Sequence, residues 1–164
     1  MKIRKSDDKI KPLKELEKII LKLKSQKKKV ATTNGVFDII HAGHVAYLEE
    51  ARNLGDILIV GINTNRSVKE NKGDKRPIND EKVRMKVIAS LEAVDYVLLF
   101  DEKDPSKWLA KIKPDFHVKA GDYKMSQIVE KNIVEKNNGK IIIAKVVAGH
   151  STTKIINRIL EVYR

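Results

Sequence analysis

Residues Ile57-Leu58-Ile59-Val60-Gly61-Ile62 form an unbroken apolar run. A strand with one wet face alternates polar and apolar side chains, so an unbroken run marks a strand covered on both faces, the habit of parallel sheets. Shorter strand-like runs lie at Val30–Thr33, Tyr96–Phe100, Phe116–Val118 and from Ile141 through Ala144 into the valines that follow. Helical spacing fills the intervals. Val45, Leu48, Ala51 and Leu54 mark one face, with Gly55 expected as the C′ residue. Val83, Val87, Ile88 and Leu91 mark the buried face of another helix, for which Asn79 is the expected N-cap, backed by Asp80 and Glu81. Pro105 opens a helix with Trp108, Leu109 and Ile112 inward, and Pro114 stops it. Ser126 to Asn138 is predicted helical and closed by Gly139, and a last helix turns Ile155, Ile156, Ile159 and Leu160 inward. Strands alternating with helices at this rate predict an α/β fold: a Rossmann-like, doubly wound parallel five-stranded sheet with helices on both faces.

At 164 residues the chain reads as a single domain. Residues 1–11 are expected to fray. Pro12 opens a helix whose Leu13, Leu16, Ile19, Ile20 and Leu23 recur at helical spacing, so 1–29 reads as a tail and helix packed on the body, and 30–164 as the main domain. Lys27-Lys28-Lys29 reads as a solvated linker, and Asn63–Pro77 as a loop with at most one helical turn. The absence of cysteine excludes disulfides, thiolate catalysis and cysteine-ligated metals. A net charge of +12 favours anionic partners without choosing among them. Aromatics make up 5% of the residues, which weighs against a base-stacking nucleic-acid surface. No secretory signal and no span of about 20 apolar residues is visible, so a soluble cytoplasmic protein is expected, with no nucleic-acid or membrane partner.

Right-handed crossovers put every strand-to-helix loop at the carboxyl edge of such a sheet, where ligands bind near the switch in strand order. Gly35–His44, Asn63–Arg76, Lys119–Tyr123 and Gly149–Thr153 all follow strands and are therefore predicted to meet. His41-Ala42-Gly43-His44 then stands at a helix start. Gly43 lets an anion approach the backbone, and free amides with the helix dipole favour phosphate. Two imidazoles aimed at one phosphoryl group suit a reaction that builds charge on non-bridging oxygens. Metal binding is the alternative, but Asp38 is the one obvious further ligand nearby; plain capping or space filling is the other. Asn34, Gly35, Val36 and Phe37 supply the same wall, with Phe37 as its anchor. Asp38 is open between orienting His41 or a lysine and binding an acceptor. Ser151, Thr152 and Thr153 offer hydroxyls and amides to a phosphate, or simply cap the helix. Lys72 and Arg76 are loop cations that could close over a triphosphate and Arg84 could reach the same site, while Lys119, Gly121 and Asp122 offer a permissive glycine and polar groups to a base or sugar; each reads equally well as solvated surface.

Gly35-x-Phe37-Asp38 with His41-x-Gly43-His44 and Ser151-Thr152-Thr153 resembles the cytidylyltransferase-type nucleotidyltransferases, from about Val30 to the end of the chain. Four stretches carry the resemblance to the adenylyltransferases that make ADP-heptose from D-glycero-β-D-manno-heptose 1-phosphate. They are Thr33–His44, Lys72-Gly73-Asp74-x-Arg76-Pro77, Leu91-Glu92-Ala93-Val94-Asp95 and Val118-Lys119-x-Gly121-Asp122-Tyr123. Many such proteins carry a fused sugar kinase; this chain resembles the stand-alone form. It departs from the family's usual Gly-Gly-Asp at Ala120, and His150 stands before Ser-Thr-Thr at a position that varies between subfamilies.

The resemblance implies attack of a sugar phosphate on the α-phosphate of ATP, with pyrophosphate leaving. His41, His44 and Lys72 would be catalytic. Asn34, Gly35, Val36, Phe37, Gly43, Arg84, Gly121, Asp122, Ser151, Thr152 and Thr153 would bind the nucleotide, and Asp38, Arg76 and Lys119 the acceptor. Magnesium would travel with ATP rather than in a protein cage. A homodimer is also implied. Rival readings are a transferase of the same fold using CTP with glycerol 3-phosphate, or ATP with a flavin or pantetheine phosphate, and a non-catalytic nucleotide- or nucleic-acid-binding protein.

Overall fold

The structure is a computed structural model that describes residues 3–121, 123–145 and 149–163. In chain order the elements are α1 Ser6–Lys9, α2 Leu13–Ser25, β1 Val30–Gly35, α3 Ala42–Arg52, β2 Ile57–Asn63, α4 Asn65–Lys72, α5 Glu81–Ser90, β3 Tyr96–Phe100, α6 Ser106–Ile112, β4 Phe116–Lys119, α7 Lys131–Lys136, β5 Lys140–Ile143 and α8 Thr152–Tyr163. The five strands form one parallel sheet in the order β3-β2-β1-β4-β5. The order reverses between β1 and β4, so the loops leaving these two strands flank the crevice in which such sheets bind ligands.

Strand β2 is buried along its whole length. Successive side chains point to opposite faces. Leu58, Val60 and Ile62 therefore join one core with Leu48 and Ala51 of α3 and Ile88 of α5, while Ile57 and Ile59 join a second with Leu16 and Ile20 of α2, Trp108 of α6 and Val134 of α7. Each large side chain fully buried there contributes roughly 1.5–3 kcal/mol.

Several local expectations are corrected. The segment preceding Pro12 is ordered from Ser6: α1 is followed by a bridge from Ile10 to Val97, and the Lys9 ammonium donates to the carbonyls of Leu91 (3.0 Å) and Val94 (2.7 Å). These carbonyls lie just past α5, and a cation is favoured at that negative end. Asn63–Pro77 contains the full helix α4, N-capped by Thr64. Asp80, not Asn79, caps α5, and the Asn79 side chain instead donates from Nδ2 to the Asp38 carbonyl (2.7 Å). On α5, Val83 and Val87 are 48% and 41% exposed; Arg84, 1% exposed, takes the inward position instead.

Gly55 does not cap α3 in a left-handed conformation. A Cβ there would lie 2.9 Å from the Lys29 carbonyl oxygen, so a close backbone approach is what requires glycine. The predicted 126–138 helix is split into a 3-10 turn at Met125–Gln127 and the short α7 by the extended backbone of Ile128, which buries its side chain in the second core. Asn138, at φ 62°, rather than Gly139, is the left-handed residue that follows. No described residue of α8 is buried: Ile159 and Leu160 are 48% and 42% exposed, so the predicted inward stripe is not covered by the rest of the described chain. The two valines that follow Ala144, Val146 and Val147, lie outside the described residues. No helix among the described residues is long and apolar enough to cross a membrane.

Candidate active site

β1 ends at Gly35, and six residues carry the chain to α3. Phe37 makes the bend at φ 47°, a left-handed conformation that costs a non-glycine residue free energy, and its buried ring anchors the loop. The anchor explains Gly35, where a Cβ would sit 2.9 Å from the Phe37 ring. His41 is extended (φ −143°, ψ 169°) and its carbonyl accepts from the amides of His44 (2.9 Å) and Val45 (3.3 Å). No side chain caps α3, which leaves its first amides available to an anion.

The His41 and His44 rings stack with centroids 3.8 Å apart and planes inclined by 23°, and Phe37 tilts against His44 at 5.3 Å. Both Nδ1 atoms are buried without a hydrogen-bond partner. Burial, and then the neighbouring His41, push His44 down to about 4. Burial, and then His150, lower His41 as well. Both shifts favour the neutral imidazole. A phosphate placed against them reverses that balance, because an adjacent negative charge favours the protonated form.

The four loops do meet. They line one cleft of about 960 Å³, at the upper end of the range for small-molecule sites. Asn34, Gly35, Val36, Phe37, Asp38, His41, Gly43 and His44 line it from the β1–α3 loop, and Lys72 and Arg76 from the region after β2. Lys119 and Gly121 enter after β4, and Ser151, Thr152 and Thr153 at the start of α8. The Ser151 hydroxyl accepts from the Lys154 amide (3.1 Å), so it also caps α8, and Thr152 donates to the Ile39 carbonyl (3.3 Å), tying the two phosphate-facing loops together. Asp122 lies outside the described residues.

Arg84 is a correction. Its guanidinium is buried beneath the site and absent from the cleft wall. It donates to the carbonyls of Val36 (2.7 Å), Asn63 (2.8 Å) and Asn79 (3.0 Å) and to Asn65 Oδ1 (2.9 Å). Its planar fork joins the ends of β1 and β2 to the start of α5, so in this structure it braces the site from beneath. Asp38 is likewise spent. Its side chain is fully buried, one oxygen accepting from Arg76 Nε (2.8 Å) and the Ile78 amide (2.8 Å), the other from the Asn79 amide (2.7 Å). Burial alone would raise its pKa; the Asn79 and Ile78 amides and Arg76 outweigh that and hold the carboxyl below its ordinary range. Asp38 thus resolves as the anchor that brings Arg76 to the cleft, not as a partner of His41.

Lys119 Nζ lies 2.7 Å from Glu130 Oε1, 3.2 Å from Asn34 Oδ1 and 4.8 Å from the centroid of the Tyr123 ring. Glu130 in turn meets His117 Nε2 (3.3 Å), whose Nδ1 meets the Thr32 hydroxyl (2.9 Å). Burial would raise Glu130, but its hydrogen bond to His117 and the Lys119 charge pull it down to about 2; burial dominates at His117 and lowers it. Sequence reasoning missed Glu130 and His117 because both sit in segments that read as plain helix and plain strand. The buried polar residue within Phe116-His117-Val118 was the available signal. Among the described residues, no three His, Asp or Glu side chains converge on a point that would hold a metal ion.

Residues 32–158 match the cytidylyltransferase-like family. The chain is 47% identical over 158 residues to the bifunctional protein HldE of Citrifermentans bemidjiense, covering 96% of this chain and 32% of the relative. It is also 47% identical over 156 residues to the bifunctional protein HldE of Aliarcobacter butzleri, covering 95% and 32%. The chain thus spans about a third of the length of these curated relatives. Among solved structures, the lipopolysaccharide core biosynthesis protein of Thermoplasma volcanium GSS1 aligns with a TM-score of 0.61 at 33% identity, over 73% of this chain and 96% of that one. Pantoate-beta-alanine ligase from Francisella tularensis aligns with a TM-score of 0.63 at 21% identity, over 93% and 77%, a likeness of fold alone.

Proposed function

The chain belongs to the cytidylyltransferase-like family, and on that premise we propose that it transfers the adenylyl group of ATP to D-glycero-β-D-manno-heptose 1-phosphate, giving ADP-heptose and pyrophosphate. The observation that carries the transferase reading is the stacked pair His41 and His44 in a cleft lined by four strand-to-helix loops. The choice of substrates is supported by the motifs from Thr33 to His44 and from Lys72 to Pro77. It is supported further by the likeness to the HldE proteins and to a protein named for lipopolysaccharide core biosynthesis.

The acceptor's phosphate oxygen attacks the α-phosphorus in line, one P–O bond forming as the bond to the pyrophosphate oxygen breaks. No protein nucleophile is required. His41 and His44 donate to the non-bridging oxygens as charge builds there. Lys72 draws on the β- and γ-phosphates, the start of α8 receives phosphate through Ser151, Thr152 and Thr153, and magnesium enters as part of the nucleotide substrate. Gly43 leaves room for the polyphosphate, while Asn34–Phe37, Gly121 and Asp122 enclose the nucleoside. Lys119 and Arg76 serve the acceptor. The protein acts in the cytoplasm and as a homodimer, a reading supported by the exposed apolar residues of α8.

Pyrophosphate release measured over a panel of nucleoside triphosphates and phosphorylated acceptors tests this. Turnover with ATP and heptose 1-phosphate is expected. Turnover with another pair, and none with this one, would overturn the substrate assignment while leaving the transferase.

A further inference from the structure

We infer that His150 is a positioning residue of the transfer site: its ring lies near-parallel to that of His41 and, together with the stacked His44, holds the angle at which His41 meets the reacting phosphate. The inference rests on the transferase reading and extends it to a residue that the motif resemblance leaves unassigned.

A histidine that must present one nitrogen to a ligand is ordinarily oriented by a hydrogen bond on the other. His41 has no such tether: its Nδ1 is buried and unpartnered. Its neighbours are rings. His44 stacks on the His41 ring at 3.8 Å and 23°, and His150 lies near-parallel to the His41 ring at 6.2 Å and 19°, inside the range of aromatic contact. Gly43 makes the column possible, since a Cβ at that position would lie 3.1 Å from His41 Nδ1 and 3.2 Å from the His150 Cβ. His150 and His41 both border the main cleft and also a second one of about 270 Å³ lined by Lys154, Ile155 and Arg158. Without the His150 ring, His41 opens toward that second space and gains freedom to turn. The depression of the His41 pKa by His150 agrees with this proximity.

Three replacements in the full chain separate stacking from hydrogen bonding. His150→Ala removes both, His150→Phe keeps a flat ring, and His150→Gln keeps a donor. With pyrophosphate release as readout, His150→Ala is expected to lower kcat about 10- to 100-fold, the scale of a misplaced catalytic group, with KM for ATP changed less than about threefold. His150→Phe restores most of kcat and His150→Gln does not. An unchanged kcat in His150→Ala, or rescue by Gln but not Phe, overturns the inference.

These variants are read with whichever nucleotide and acceptor turn over, so a wrong sugar assignment does not touch them. Side-chain NMR of the unliganded protein gives a readout independent of activity. His41 ring resonances broaden or double in His150→Ala and sharpen again in His150→Phe, while those of His117 stay put. His41 resonances that remain single and unmoved in His150→Ala would also refute the role.

Discussion

Replacing Asp38 by asparagine keeps shape and removes one charge, and the structure says what that costs. The carboxylate accepts three hydrogen bonds at 2.7–2.8 Å, from Arg76 Nε and the amides of Ile78 and Asn79, with no exposure to solvent. An asparagine offers one acceptor oxygen in place of two, so its NH2 group must face at least one of these donors. Hydrogen bonds to charged groups contribute about 1.5–3 kcal/mol each, and breaking a buried ion pair from one side costs about 3–5 kcal/mol. These are overlapping accounts of one site, so Asp38→Asn is expected to lose about 3–5 kcal/mol. At roughly 2–4 °C per kcal/mol for a chain of this size, the melting temperature falls by about 6–20 °C.

The pH dependence has a definite sign. The folded carboxyl titrates below its unfolded value of about 3.9, so its stabilisation is full above that pH and is lost as pH falls toward the lower folded pKa. Urea denaturation at pH 7 and across pH 5 to 2 measures both effects. The acid limb of the wild type flattens in the variant. A loss under about 1 kcal/mol at pH 7, or an unchanged acid limb, would refute the anchoring role.

His44→Ala should lower turnover by about two orders of magnitude or more with the fold intact by circular dichroism, as for a lost transition-state donor; unchanged turnover removes the histidine pair from the mechanism. Arg84→Met should be read as a fold lesion. Because it leaves buried carbonyls unpaired, it should cost about 3 kcal/mol or more in denaturation, with KM for ATP in the folded fraction within about threefold; a selective rise in KM at full stability would return Arg84 to the binding site. Because His44 is depressed to about 4 in the folded chain, its unfolded form takes up a proton first. Unfolding free energy should therefore fall as pH drops from about 6.5 toward 4, less steeply in His44→Ala, and equal slopes would contradict the buried neutral state.

Much of the architecture was readable because it rests on patterns that survive without knowledge of partners. The Ile57–Ile62 run could be satisfied by little else than a strand covered on both faces, and five such segments separated by helical spacing leave few topologies. The histidine loop and its three companions were readable for the same reason: strand-to-helix loops share one edge whatever the strand order. What escaped notice depends on contacts distant in sequence. Arg84 lies between Val83 and Met85 on a helix whose valines advertise burial, and only the carbonyls of Val36, Asn63 and Asn79 explain why the arginine goes inward. Glu130 reads as a helix-surface acid until Lys119 and His117 are seen to close on it. The apolar stripe of α8 announces a burial that the described residues do not provide.

Burial lowers the pKa values of His41 and His44, which favours neutral rings at this end of the cleft within a chain that carries +12 overall. Its charge is conditional on occupancy. A small passing anion meets two neutral rings and must supply the energy of protonating them, which a single weak charge does poorly. A polyphosphate, with several charges at close range, does it well. The same coupling acts in reverse at the end of a cycle. In the proposed transfer, departure of pyrophosphate would take that charge away and return the imidazoles toward the neutral form, weakening their hold on the product.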